Sequence, residues 1–95
     1  MAQRVYRVVD HPDLQAVLRD APAELLQLLS RQVYPLLRSD PTNLAGHWPV
    51  TWQPPWFILR IELADGVALL AYQVLEDELL VRTRWLLWGP TVPRP

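Results

Sequence analysis

Three arginines at alternating positions of apolar segments are the side chains of this sequence best suited to chemistry on an anion. Arg60 lies in the run from Trp56 to Leu63, and Arg82 and Arg84 lie in the run from Leu79 to Trp88. A guanidinium group stays charged at physiological pH and forms paired hydrogen bonds with phosphate or carboxylate oxygens. The three arginines are therefore candidate catalytic residues, which would stabilise the charge that develops on a phosphate during RNA cleavage.

Two other roles remain open for these arginines. They could lie on a solvated sheet face, with Glu62 paired to Arg84, or they could bind an acidic segment of a protein partner. The formal net charge of −1 argues against broad electrostatic binding to nucleic acid, because such binding normally needs a basic surface.

Four tryptophans are candidate partner-binding residues: Trp48, Trp52, Trp56 and Trp88. The first three could instead form a platform on which bases stack. Tryptophans beside proline-rich loops more often cover the end of a core or lie in a protein interface. We expect Trp88, Leu86 and Ile58 to form an apolar patch beside the arginines, which suits a protein partner better than RNA.

Other kinds of site are poorly represented. The sequence has two histidines, no cysteine and three separated glycines, so we predict no metal site, thiol chemistry, phosphate-binding glycine loop or cofactor. Ser30 and Ser39 do not lie in a nucleophile motif. The acidic run 76–78 is typical of an exposed turn.

The arginines must be positioned by the segment 54–88, which predicts three antiparallel strands in a meander. Asp65-Gly66 is a typical two-residue hairpin loop. With that loop, Leu59 lies opposite Tyr72, and Ile61 lies opposite Leu70.

The acidic run predicts a second turn, of two or four residues. A three-residue turn would bury Arg82 and Arg84, so it is excluded. A turn of two or four residues keeps four side chains of the last strand on the apolar face, namely Leu79, Val81, Thr83 and Trp85. The same register predicts two rows on the open face. One row contains Arg60, Ala71 and Arg82, and the next contains Glu62, Leu69 and Arg84.

The N-terminal half predicts one strand and two helices. Residues 4–9 alternate loosely as a strand, and Asp10 followed by Pro12 is typical of a helix start. The second helix has an apolar stripe: Leu25, Leu26, Leu29, Val33, Leu36 and Leu37. Pro35 predicts a kink in it. Residues 44–55 are expected to be a loop, so the architecture is α+β, with helices packed on one face of a sheet.

Size and composition fit one domain. The chain has 95 residues, of which 51% are hydrophobic, so it can bury a core without disulfide bonds. We expect the domain to occupy residues 1–88, followed by a flexible tail at 89–95. No apolar run is long enough to cross a membrane, and a cytoplasmic protein is the default expectation.

The order of elements and several short motifs resemble the RelE/ParE superfamily of toxin–antitoxin toxins. The matching motifs are residues 10–14 between strand and helix, residues 21–24 between the helices, Asp40-Pro41 after them, and Tyr72-Gln73-Val74 in the aromatic-rich meander. The resemblance covers nearly the whole chain.

The resemblance implies two activities and one kind of partner. RelE-type toxins cleave mRNA on the ribosome with basic and tyrosine side chains on the open sheet face, whereas ParE-type toxins inhibit DNA gyrase. Both are neutralised by an antitoxin that wraps around the toxin. Arg60, and Arg82 or Arg84, are positions that match basic functional residues of the family.

The catalytic set of the RelE type is incomplete here. Leu69 occupies the position of an arginine in the middle strand, lysine is absent, and Trp88-Gly89-Pro90 occupies the region of the C-terminal tyrosine or histidine. The leading hypothesis is therefore a toxin-like domain that acts through protein binding. The alternatives are a ribosome-dependent endoribonuclease, which would make the protein an enzyme, and a small non-toxic interaction or homodimerisation module.

Overall fold

A five-stranded mixed sheet covered by helices forms the molecule, as predicted for an α+β, helix-on-sheet fold. The computed structural model describes residues 5–42, 47–50 and 56–90. The strands are β1 (Arg7–Asp10), β2 (His47–Val50), β3 (Trp56–Glu62), β4 (Gly66–Leu75) and β5 (Leu80–Pro90). Their order across the sheet is β1-β5-β4-β3-β2, with β1 parallel to β5 and the other neighbours antiparallel.

The first helix, α1 (Pro12–Leu18), begins one residue later than predicted. His11 is its N-cap, and the Nδ1 atom of His11 accepts a hydrogen bond from the backbone N–H of Asp13. The expectation that Asp10 caps this helix was wrong. The Asp10 carboxylate instead accepts hydrogen bonds from the hydroxyl groups of Tyr34 and Thr83.

The predicted second helix consists of α2 (Ala23–Leu28), a π-helical segment (Leu29–Val33) and α3 (Tyr34–Ser39). The distortion expected from Pro35 thus lies just before it, where the Tyr34 N–H bonds to the carbonyl of Leu29. Four stripe residues are buried at every fourth position: Leu25, Leu29, Val33 and Leu37. An α-helix of about 3.6 residues per turn would rotate such positions off the core, and the wider π turn returns them to it.

The hairpin between β3 and β4 keeps the predicted faces but not the predicted pairs. Its loop is Ala64-Asp65, flanked by a hydrogen bond from the Leu63 N–H to the Gly66 carbonyl. Leu59 therefore pairs with Leu70, and the register differs from prediction by two residues. A shift by two preserves the face of every side chain, so the apolar face still points to the core.

Gly66 is required by a close approach between β4 and β5. A Cβ atom at Gly66 would lie 2.2 Å from the carbonyl oxygen of Gly89. Gly66 thus begins β4 because no side chain fits there, which explains why the loop lies one residue earlier than the Asp65-Gly66 motif predicts.

A bulge in β5 changes the faces of its second half. The turn after β4 spans residues 76–79, which is one of the two predicted lengths, and Tyr72 pairs with Thr83. The next pair is Ala71 with Trp85, so Arg84 is the extra residue. Beyond the bulge, Leu86 is buried in the core. The prediction that Leu86 and Trp88 lie on the open face was wrong, because Trp88 also packs against the core.

Two segments expected to be irregular contain strand. Within the predicted loop 44–55, His47–Val50 forms β2 at the sheet edge, paired with β3. Gly89 and Pro90 belong to β5 rather than to a tail. Residues 91–95 lie outside the described part of the chain. Within the described ranges, no helix is long and apolar enough to span a membrane.

Candidate functional site

The three candidate arginines do not converge on one point. Arg60 lies on the open face in a row with Leu69 and Leu87, as defined by the pairing of β3, β4 and β5. Arg82 lies two rows away, beside Gln73. The predicted rows were therefore wrong, because both the hairpin register and the bulge differ from the expected geometry.

Arg60 is paired within its own strand. Its Nε atom lies 2.7 Å from Oε1 of Glu62, and both side chains are largely exposed. Glu62 was expected to pair with Arg84, which the observed register does not allow. A pair this exposed contributes at most about 1 kcal/mol, but it neutralises Arg60 locally.

Arg84 is directed towards the start of α1. As the extra residue of the bulge it lies outside the ladder, and bulges characteristically re-aim a side chain. Its Nη1 atom lies 3.4 Å from the Asp13 carboxylate and 3.3 Å from Nδ1 of His11. Arg84 is therefore held by two groups of α1 and its cap.

Arg82 has no hydrogen bond or ion pair to any other residue within the described ranges. It is exposed on the open face, in a row with Gln73 and Trp56. It thus offers a guanidinium whose donors are available to an external anion.

Arg82, Arg84 and Trp56 line one cleft of about 390 Å³ at the end of β1. The other lining residues are Val9, Asp10, His11, Pro12, Gln73 and Thr83. Strand β1 ends at this cleft because Pro12 begins α1, and the parallel pairing with β5 brings Asp10 beside Thr83.

A hydroxyl and carboxylate network supports the base of the cleft. The Tyr34 hydroxyl donates to both oxygens of Asp10, at 3.1 and 3.3 Å. Burial, followed by the negative charge of Asp10 and this hydrogen bond, raises the pKa of the Tyr34 phenol above its ordinary value. The Thr83 hydroxyl also donates to Asp10. The network therefore joins β1, β5 and α3.

An apolar band crosses the open face beside the cleft and Arg60. It consists of Ile58, Leu69, Trp85 and Leu87. Leu87 is 61% exposed, and the other three are partly exposed. The predicted apolar patch thus exists around Ile58, but Trp85 and Leu87 occupy it in place of Leu86 and Trp88.

Three of the four candidate tryptophans lie on different strands. Trp48 is in β2, where its backbone pairs with Ile58, and Trp56 begins β3 at the cleft. Trp88 packs against the core, and Trp52 lies outside the described residues. The role of these residues in partner binding stays a prediction.

Sequence reasoning missed the participation of His11 and Asp13. His11 is the N-cap of α1 and Asp13 lies in its first turn, and both are distant in sequence from the arginines. Only the parallel pairing of β1 with β5 brings these two residues close to Arg84. The sequence gives no signal of the bulge, because residues 85–88 are apolar at both alternating positions and do not specify which face is buried. No group of three or more acidic, histidine or cysteine side chains suited to a metal occurs in the described ranges.

Comparisons with known proteins identify the fold. No family model matches the sequence, and no curated protein matches it. The isolated RelE toxin of E. coli superposes with a TM-score of 0.66 at 18% identity, covering 94% of this chain and 87% of the toxin chain. A chain of the intact E. coli RelBE toxin–antitoxin complex gives 0.56 at 17% identity, covering 94% and 99%. The chain therefore has the fold of the RelE toxin.

Proposed function

We propose that this protein is a toxin-like domain of the RelE/ParE superfamily that acts by binding a protein through the open face of its sheet. The observation that carries this proposal is the apolar band of Ile58, Leu69, Trp85 and Leu87 on the sheet face opposite the helices. Exposed apolar side chains flanked by arginine are typical of protein interfaces.

The charges around the band support a protein partner over RNA. Arg60 is paired with Glu62, and Arg84 is paired with Asp13. Arg82 alone among the three candidates lacks such a partner in the described ranges. A single unpaired guanidinium among these three is a weak attraction for a polyanion, whose binding depends on neutralising several phosphates.

The RelE fold suggests two kinds of candidate partner. One is an antitoxin-like protein, and the other is a cellular target such as the ribosome or gyrase. The solved RelBE complex is a toxin–antitoxin complex, so the same fold accommodates a protein partner there. Leu87, at 61% exposure, is the most exposed residue of the apolar band. A substitution of Leu87 should therefore weaken partner binding most.

Inducible expression in a bacterial host tests this proposal. We expect wild-type protein to arrest growth without new mRNA 5′ ends, and Leu87→Asp to relieve the arrest by removing apolar contact. Leu36→Asp is the matched control, because Leu36 is 47% exposed on α3 rather than on the sheet face. It should leave the arrest unchanged.

Two outcomes would contradict the proposal of a toxin-like domain that acts by protein binding. Arrest with new mRNA cleavage sites that disappear in the Arg60→Ala/Arg82→Ala double variant would establish an endoribonuclease. Normal growth with abundant, folded protein would indicate a non-toxic interaction module. Circular dichroism of each purified variant confirms that the comparison is between folded proteins.

A further inference from the structure

We propose that the cleft at the end of β1 binds a monocarboxylate with an apolar substituent. Arg82 and Gln73 hold the carboxylate, and the apolar part of the ligand lies against Trp56. The cleft and the apolar band use different side chains, so this site does not depend on the protein-binding function proposed for the band. The cleft volume of about 390 Å³ lies within the range of small-ligand sites, about 300–1,000 Å³.

Gln73 is a buried polar side chain without a hydrogen-bond partner in the described ranges. It is only 8% exposed, and none of the hydrogen bonds of those ranges involves its carboxamide. Because no fully buried polar side-chain atom there lacks a partner, the carboxamide is accessible from the cleft that Gln73 lines. Buried polar groups in folded proteins are almost always hydrogen-bonded, to protein, water or ligand. Gln73 therefore points to a polar ligand in the cleft.

Four cleft residues of neighbouring strands form one row on the open face. Val9 pairs with Arg82, Arg82 pairs with Gln73, and Gln73 pairs with Trp56. Neighbouring strands are about 4.8 Å apart, so the Arg82 guanidinium and the Gln73 carboxamide can donate to the two oxygens of one carboxylate. Val9 and Trp56 lie on either side of this pair and offer apolar surface to the rest of the ligand.

The local charges favour an anion with a single charge. Arg82 has no ion pair in the described ranges, whereas Arg84 is held by Asp13. Successive residues of a strand point to opposite faces, so the Asp10 side chain lies on the helix side of the sheet, where it accepts hydrogen bonds from Tyr34. One unpaired guanidinium matches one carboxylate, whereas a phosphate dianion would bring a second charge that no free cation of the cleft balances.

Titration of the full chain with phenylacetate, followed by NMR of its backbone and side-chain amide groups, tests the site. We expect saturable shifts at millimolar concentrations, and the carboxamide signal of Gln73 should be among those that move. Phenylacetamide retains the ring without the charge, and acetate retains the charge without the ring. Each should bind at least about tenfold more weakly than phenylacetate, because each retains only one part of the ligand. Phenyl phosphate should also bind more weakly than phenylacetate.

Arg82→Gln should weaken phenylacetate binding by about tenfold or more, because it removes a charge-assisted hydrogen bond. Gln73→Leu, which removes a neutral hydrogen bond, should weaken it by about threefold to tenfold. Arg60→Gln is the matched control, because Arg60 is an exposed arginine of the same face outside the cleft. It should leave the affinity within about twofold, as expected for a distant surface charge in a screened solvent. Leu87→Asp should also retain phenylacetate binding, so failure of this proposal and failure of the protein-binding proposal are distinguishable.

A short peptide that ends in phenylalanine with a free carboxylate distinguishes two sources of the ligand. Tighter binding than phenylacetate, with the same dependence on Arg82, would assign the cleft to the C-terminus of a polypeptide, whereas equal or weaker binding would assign it to a free small acid. Either result supports the site. Absence of saturable phenylacetate and peptide binding at millimolar concentrations would overturn it. So would phenylacetate affinity that Arg82→Gln leaves unchanged, or tighter binding of phenyl phosphate than of phenylacetate.

Discussion

The Nη1 atom of Arg84 lies 3.4 Å from the Asp13 carboxylate, and this contact joins the bulge of β5 to the first helix. The ladder is regular on both sides of the bulge, with Tyr72 paired to Thr83 and Ala71 paired to Trp85. Arg84 therefore forms an exposed ion pair but has no paired residue in β4.

Deletion of Arg84 is expected to leave the fold intact. Without Arg84, the pairs Tyr72–Thr83 and Ala71–Trp85 follow each other directly in the ladder. All other side chains of β5 therefore stay on the same face of the sheet, and only the exposed contacts of Arg84 are lost. We expect the free energy of unfolding in urea to fall by at most about 1–2 kcal/mol.

Deletion of Arg82 is the matched control. It would move Arg84 into the core-facing place of Thr83, opposite Tyr72, and would remove the hydroxyl that donates to Asp10. The cost of burying the charge is several kcal/mol, which should abolish cooperative unfolding. Equal stability of the two deletion variants would contradict the assigned bulge.

Gly66→Ala should destabilise the sheet. The added Cβ atom would lie 2.2 Å from the backbone oxygen of Gly89, so β4 and β5 must separate locally. We expect a loss of about 1–3 kcal/mol, the range found for overpacked sites, measured by urea unfolding. Gly89→Ala is the control, since its Cβ would meet no heavy atom within 4 Å. A larger loss for Gly89→Ala than for Gly66→Ala would refute the close approach.

Stability should decrease at alkaline pH because of Tyr34 and Tyr72. Burial raises the pKa of both phenols in the folded protein, and Asp10 adds to the effect at Tyr34. The unfolded chain releases these protons near pH 10, whereas the folded chain retains them, so the contribution is complete below about pH 10 and is lost as pH rises further.

Urea unfolding between neutral pH and pH 11 measures this dependence. The Tyr34→Phe/Tyr72→Phe double variant lacks both phenols, and its free energy of unfolding should fall less steeply above pH 10 than that of the wild type. An identical slope would show that neither tyrosine is responsible. The comparison uses slopes because Tyr72→Phe also removes the 2.7 Å hydrogen bond to the carbonyl of Pro41.

The candidate site was only partly accessible to sequence reasoning. The placement of Arg60 and Arg82 on the open face followed from alternation with buried neighbours, and it was confirmed. Their partners could not be derived in the same way. Alternation specifies a face, whereas a pairing also depends on the loop residues. The close contact between Gly66 and Gly89 places the loop one residue earlier than predicted, which changes the pairing register by two.

Periodicity by itself determined the α+β class, the helix-covered sheet and most of its buried face, because a repeat of two or about four residues directly reports which side chains avoid water. Only the tertiary structure decided the bulge at Arg84, the burial of Leu86 and the cleft that brings His11 beside β5. These features arise from contacts between residues more than 70 positions apart, such as Asp10 with Thr83. Their energies depend on the packing of the completed sheet, which no local pattern of the chain encodes.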